Sequence, residues 1–242
     1  MRKLFVDRID EFLTLTGDDA RHLGYSLRAK KGDKITAVDN SGEAAVMEIT
    51  GFSRDTVALR LVSRESIEVE SPIKICLAMC LPKSDKMDLI VQKATELGVR
   101  EIQPLMSRNC VVRYDDKKRA SRREKWQRVA AEASKQCGRT LIPTVNEIMS
   151  YDDFILSMVD DESTKYLFYE REHSPLNSRL YDESDVKSFV LIVGAEGGFT
   201  EGEVAAAREK NIKVAGLGPR VLRCETAAIA AVSIVQFVQG DL

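Results

Sequence analysis

An apolar run, Phe189-Val190-Leu191-Ile192-Val193, passes without a break into Gly194-Ala195-Glu196-Gly197-Gly198-Phe199. A strand that ends in glycines and then enters a helix lets a ligand approach bare backbone, because glycine accepts positive φ and has no Cβ. The spacing is neither G-x-G-x-x-G nor G-x-x-x-x-G-K-[ST], so the usual dinucleotide and P-loop readings fail. Glu196 would repel a phosphate; it suits a cationic or neutral ligand, or a structural role on neighbouring amides. A second segment of similar design, Leu217-Gly218-Pro219-Arg220-Val221-Leu222-Arg223-Cys224-Glu225-Thr226-Ala227, leaves a short strand and enters an apolar helix. The two segments have the makings of two walls of one pocket. The alternatives are a tight turn with no ligand for the first, and a simple Arg223–Glu225 ion pair of little energetic weight for the second.

The elements around these segments follow from the apolar spacing. From Ile73 onward, strands alternate with helices, which predicts an α/β layer with a largely parallel sheet. Ile73–Leu81 is a nearly continuous apolar strand. Asp85 is placed to cap a helix that carries Met87, Ile90, Val91, Ala94 and Leu97 on one face, with Gly98 at its C′ position. Further strands are expected at 101–106, 166–169, 189–193 and 213–217, and further helices at 121–137 and about 225–238. Thr200 and Glu203 have capping-box spacing for a helix running to about Lys210. Residues 1–71 read differently: short β-branched strands at 34–38, 44–50 and 56–62, punctuated by Gly, Asn and Asp, with a short helix from Asp18. The polar stretch ending in Ser71-Pro72 divides a small β-rich domain, 1–71, from an α/β domain, 72–242.

Composition narrows the function classes. The N-terminus does not resemble a signal peptide, no stretch approaches the length of a membrane span, and an odd number of cysteines without paired spacing suits a reduced, cytosolic protein. Five cysteines without C-x-x-C spacing and only two histidines speak against a structural metal. The net charge of −2 conceals an asymmetry: residues 73–142 carry 16 Lys/Arg against 8 Asp/Glu, while 143–242 carry 9 against 17. The basic middle is suited to a polyanion, or is an ordinary solvated surface.

The two glycine-bearing segments together closely resemble the RsmE family, SPOUT-class enzymes with the pattern GPEGGF…LGxRILRxETA. Gln92-Lys93-Ala94-Thr95-Glu96-Leu97-Gly98-Val99 is similar to the family's QKxxELGV helix, and Lys83 matches upstream of it. Ser107–Val112 is similar to its RSVV segment, and His22-Leu23, Leu27-Arg28 and Gly32-Asp33 to its N-terminal stretch. Ala195 stands where the family has proline, Cys224 where it has threonine, Ser26 where it has valine and Asn109 where serine is common. The resemblance implies a C-terminal trefoil-knot domain, an N-terminal PUA-like β-barrel that helps bind RNA, and a homodimer. It implies methylation of N3 of a uridine in small-subunit (16S) ribosomal RNA from S-adenosylmethionine, without a metal.

On that reading the cofactor-binding residues are Gly194, Ala195, Glu196, Gly197, Gly198, Leu217, Gly218, Arg220, Leu222, Arg223, Thr226 and Ala227. Arg223 would stabilise negative charge on the uracil, and Glu225 or Glu196 would accept or relay its proton, unless either carboxylate only holds loop amides. Arg21, His22, Arg28, Lys83, Lys86, Lys93, Arg108 and Arg113 are candidates for RNA phosphates, with a denser basic run at Lys117–Arg123. Competing readings are a related SPOUT enzyme with another target and a non-catalytic RNA-binding assembly factor.

Overall fold

Strands buried on both faces must be apolar throughout, and the runs of the second half of the chain are. The computed structural model describes residues 3–21, 23–24, 28–39, 41–172, 176, 180 and 186–242. Contacts divide the chain into two units: Met1–Glu70 with Ser134–Leu141, and Ser71–Ala133 with Ile142–Leu242.

The larger unit is built on a seven-stranded sheet in the order β12-β10-β11-β6-β7-β8, with β9 also pairing β7. Its strands are β6 (Lys74–Cys80), β7 (Glu101–Met106), β8 (Thr144–Val145), β9 (Met149–Ser150), β10 (Thr164–Phe168), β11 (Ser188–Val193) and β12 (Lys213–Ala215). Every pairing is parallel, and Ala215, Phe168, Val193 and Met79 lie in one row across β12, β10, β11 and β6. Four strands therefore end level with one another. After β6 the chain builds outward to β7, β8 and β9; the later strands lie on the other side, so the order reverses between β6 and β11. Ligands of open α/β sheets bind beyond the strand ends at such a reversal.

Helices α2 (Lys86–Glu96), α3 (Asp116–Cys137), α4 (Tyr151–Ser157), α5 (Glu201–Glu209) and α6 (Cys224–Gln239) flank the strands. The capping box of α5 forms as its spacing requires: Thr200 accepts from the Glu203 N–H, and the Glu203 carboxylate accepts from the Thr200 N–H at 2.8 Å. Gly98 has φ +82, as a helix C′ residue should. Asp85 departs from the expectation. It sits at the N-cap of α2, but its carboxylate makes no cap bond and pairs instead with Arg122 at 3.5 Å and Lys125 at 3.4 Å. Two arginine or lysine partners outcompete one backbone N–H. Helix α3 starts five residues earlier than the apolar spacing suggests, so the basic run Lys117–Arg123 is helical. Trp126, 2% exposed, anchors that helix and donates its indole N–H to Asp88 at 3.1 Å. Among the described residues no helix is long and apolar enough to cross a membrane.

The smaller unit holds a five-stranded sheet in the order β1-β3-β4-β5-β2. Here β1 (Lys3–Val6) runs parallel to β3 (Lys34–Asp39), while β4 (Ala44–Ser53), β5 (Thr56–Glu65) and β2 (Phe12–Thr16) continue antiparallel. The two N-terminal strands escape the apolar pattern because they are short edge strands. Alternation puts Ile35, Met47, Ile49, Val57 and Leu59 into a core closed by Ala20 of α1 (Gly17–Arg21). Glu70 fastens the turn 134–141 to this unit. One oxygen receives the Arg139 guanidinium at 2.7 Å, and the other receives the N–H groups of Thr140 and Leu141. Glu70 is the shared acceptor of a buried guanidinium and two backbone N–H groups, and all of these bonds go with it. Glu70→Ala is therefore expected to cost about 3 kcal/mol in urea unfolding, with Glu70→Gln retaining part of it; an unchanged midpoint would show the pair to be dispensable.

Candidate functional site

Beyond the ends of β10 and β11, at Phe168 and Val193, lies a cavity of about 440 Å³. Gly194, Ala195, Glu196, Gly197 and Gly198 line it from the turn after β11, and Leu217, Gly218, Arg220, Leu222, Arg223 and Ala227 from the segment after β12. The two segments thus meet, and Thr226 is the one expected cofactor residue that does not line the cavity. The glycines are there for space. A Cβ on Gly197 would stand 2.9 Å from Cβ of Asn109, and one on Gly198, at φ +60, would stand 3.0 Å from the Glu170 carboxylate.

A charged cluster joins three loops at one side. Lys86, in the first turn of α2, places its ammonium 2.8 Å from Glu196 and 3.3 Å from Glu225. The Glu196 carboxylate also accepts the Lys83 N–H at 3.2 Å. That N–H is presented by a turn in which Ser84 takes φ +58. Cys224 donates its thiol to Glu225 at 3.2 Å, so the residue standing in place of the family's threonine still makes a hydrogen bond. Glu225 pairs with Lys86 and not with Arg223.

Electrostatics fixes the charge state of the cluster. Burial opposes ionisation of Glu196, but the Lys86 ammonium and the N–H groups of Glu196 itself and Lys83 outweigh it and hold the carboxyl below its usual range. Glu225 is held low chiefly by its own backbone N–H, with Cys224 and Lys86 adding to it against partial burial. The Glu196 hydrogen bond foremost pushes the Lys86 ammonium upward. Burial, then the Glu225 contact, drives the Cys224 thiol up to about 12. At neutral pH the cluster is two carboxylates sharing one ammonium.

The segment 107–110 buttresses the glycine turn from outside. Asn109 donates its side-chain N–H to the Gly197 carbonyl at 2.9 Å, and the Arg108 backbone N–H donates to Glu203 at 2.8 Å. Glu203, 2% exposed, is thereby shared between the cap of α5 and this segment. Tyr151 donates its hydroxyl to the Glu203 carbonyl at 2.9 Å. Asn109, a departure from the family pattern, thus ties its segment directly to the glycine turn.

The residues expected at RNA fall into three groups. Arg21 and Arg28 are exposed in the smaller unit, Arg28 at φ +48, while His22 lies outside the described residues. Lys83, Arg108 and Arg113 are exposed in the larger unit. Lys86 and Lys93 are committed to carboxylates, Lys93 to Glu96 at 2.9 Å. The periodic pattern missed Phe168, Tyr169 and Glu170, which line the cavity from the end of β10. The available signal was the end of a parallel strand, but which strand ends adjoin the glycine turn is a matter of sheet order.

The cavity residues suit a ligand with a positive centre, an apolar face and a carboxylate. Carboxylates stand at Glu170 and Glu196, apolar walls at Leu217 and Leu222, and guanidinium groups at Arg220 and Arg223, around bare glycine backbone. The family described as RNA methyltransferase domain matches residues 69–236, and the RNA methyltransferase PUA domain matches residues 15–62. Ribosomal RNA small subunit methyltransferase E of Bacillus subtilis is 32% identical over 255 residues, covering 100% of both chains. A ribosomal RNA small subunit methyltransferase E from Neisseria gonorrhoeae, solved bound to S-adenosyl methionine, superposes with a TM-score of 0.91 at 30% identity over 100% of this chain and 99% of that one. A Legionella pneumophila protein solved with bound SAM gives 0.90 at 30% identity over 99% and 98%. With both domain matches in place and full-length likeness on either side, the chain belongs to the RNA methyltransferase family that includes ribosomal RNA small subunit methyltransferase E.

Proposed function

We propose that this protein methylates N3 of a uridine in small-subunit ribosomal RNA, using S-adenosylmethionine. The observation that carries the reading is the convergence of the two glycine-bearing segments on one cavity with paired carboxylates and arginines. The relatives named above supply the substrate class. Residues 1–71 act as the PUA-like RNA-binding domain and 72–242 as a knotted SPOUT catalytic domain, working in the cytoplasm where ribosomes are assembled.

S-adenosylmethionine, when bound, supplies an electrophilic methyl group on a sulfonium. The chain's own residues do the rest. Backbone of 194–198 and 217–218 would hold the cofactor, with Glu170 and Glu196 the carboxylates available to its cationic groups and Arg220 a guanidinium available to its carboxylate. Uridine N3 carries a proton and is a poor nucleophile until that proton passes to solvent water, since neither carboxylate of the cluster is poised as a base. Arg223, exposed at the cavity and without an ion pair among the described residues, stabilises the negative charge that then spreads over the uracil oxygens. Glu196 and Glu225 are positioning residues. Both titrate below the usual carboxylate range, far from the near-neutral value that suits a general base, and both are held by Lys86.

RNA phosphates are met by Lys83, Arg108 and Arg113 and by Arg28, so affinity falls steeply with added salt. A second copy of the chain covers the end of α6 and the residues after it, where Phe237 is 70% exposed and Leu242 59%; light scattering at a dimer mass supports this arrangement, and a monomer mass at micromolar protein rejects it.

The deciding experiment offers labelled S-adenosylmethionine with small subunits from cells lacking this protein. Label in a 3-methyluridine is the expected product. Label in another nucleoside transfers the reading to a related enzyme of the class. Tight cofactor binding with no transfer, to subunits or to naked RNA, makes the protein a non-catalytic binder.

A further inference from the structure

The hairpin of β4 and β5 contains an irregularity with a specific consequence. Ile49 pairs with Leu59 in the core, but the next pair is Gly51 with Ala58, leaving Thr50 as the extra residue of a bulge. Thr50 ties its hydroxyl to the Ala58 carbonyl at 3.2 Å. Bulges re-aim the side chains that follow them. Unbroken alternation from inward-facing Ile49 would turn Phe52 outward. The shifted register instead sets it opposite Val57, which is 1% exposed, on the inner face. An inward aromatic at the end of a sheet is normally covered, yet Phe52 remains 42% exposed.

Its ring borders a cavity of about 200 Å³ between the hairpin end and α1, shared with Arg21, Gly24, Arg54 and Asp55. Gly24 lies beside the ring: a Cβ there would rest in ordinary contact, 3.9 Å from the ring carbon Cε1. Arg54 has no ion pair among the described residues, and Arg21 reaches only Asp18, at 3.8 Å, with its side chain 61% exposed. Two guanidinium groups balanced by Asp55 and Asp18 leave little net charge, so nothing here selects a bare phosphate.

We propose that Phe52, with Arg21 and Arg54, forms a subsite for one unpaired RNA base. The proposal rests on the RNA-binding reading above and gives the smaller unit a means of recognising single-stranded RNA. Unstacked bases are held on aromatic rings and guanidinium planes and read along their edges. The Phe52 ring is the platform, the arginines stack or donate to base carbonyls, and the Asp55 carboxylate accepts from base N–H groups.

The test measures methyl transfer by the full-length protein to unmethylated small subunits and to naked ribosomal RNA. Phe52→Leu keeps apolar cover over the core without a π face, so folding is preserved. Loss of base stacking is expected to raise KM for both RNA forms on the order of ten- to hundred-fold, with cofactor affinity unchanged and Phe52→Tyr restoring KM. A Phe52→Leu enzyme with the wild-type KM overturns the subsite while leaving the methyltransferase reading intact. A KM raised on subunits and not on naked RNA makes the partner a ribosomal protein, which also overturns it. If the wild type transfers no methyl at all, the functional reading fails by itself. Binding of a fluorescent single-stranded RNA oligonucleotide to wild type and Phe52→Leu then still decides the subsite: weaker binding by the variant supports it, and equal binding ends it.

Discussion

Arg223→Ala is expected to lose turnover by roughly 10²- to 10³-fold at saturating cofactor, the usual loss when one preorganised donor to a developing negative charge is removed. Arg223 sits at the N-cap of α6 with extended backbone, φ −64 and ψ 149, and its side chain makes no cap bond. Its carbonyl is fixed by the Ala227 N–H at 2.8 Å, so the backbone is held while the guanidinium remains free to face a substrate. Arg223→Lys retains charge and loses the planar fork, and should fall between wild type and alanine. Single-turnover rates with small subunits measure the effect without interference from product release. Wild-type rates for the alanine variant would assign the anion-stabilising role elsewhere, Arg220 being the remaining guanidinium in the cavity.

Lys86→Ala should act on cofactor affinity and on its pH dependence together. In the wild type Glu196 and Glu225 titrate low and Lys86 titrates high. The sign follows for each group. The carboxylates, lowered on folding, contribute above their unfolded pKa, and that contribution is lost as pH falls through the folded values. The ammonium, raised on folding, contributes below its unfolded pKa, and that contribution is lost as pH rises through the folded value. The cluster is thus constant from about pH 5 to about pH 10, and cofactor affinity should be insensitive to it across that range.

Without Lys86, two partly buried carboxylates lose their shared counterion, and the turn after β11 loses its tie to α6. The carboxylates stay partly solvated, so calorimetry should show cofactor affinity down by only roughly 2- to 5-fold. Mutual repulsion raises the carboxylate pKa values, so the variant alone should recover affinity as pH is lowered from 8 toward 5.5. Adding Glu225→Gln to Lys86→Ala removes one of the repelling charges and should recover affinity at pH 8. An affinity that stays flat with pH in Lys86→Ala would mean the cluster does not govern the cofactor turn. A Glu225→Gln enzyme whose turnover collapses with cofactor affinity intact would return Glu225 to the role of base.

Local structure was legible wherever it depends on neighbours in the chain. The capping box at Thr200 and Glu203, the C′ glycine Gly98, the apolar strands ending at Cys80 and Val193 and the basic middle segment all depend on contacts within a few residues or on composition. The family likeness is of the same kind, since residue order carries it. The edge strands β1 and β2 are too short for a pattern, and their pairing partners lie far along the chain. Asp85 shows the limit at a single residue: a helix-cap position is local, but the competing Arg122 and Lys125 come from another helix.

What the amino-acid order fixed by itself was a pair of glycine-bearing turns, the helices that follow them and a family likeness spanning nearly the whole chain. Tertiary structure alone decided that Lys86 stands between Glu196 and Glu225, that Glu170 reaches the glycine turn, and that a bulge turns Phe52 to a cavity. The reason is the sheet order: parallel strands far apart in the chain end side by side, and a charge finds its partner across strands, where sequence spacing carries no information.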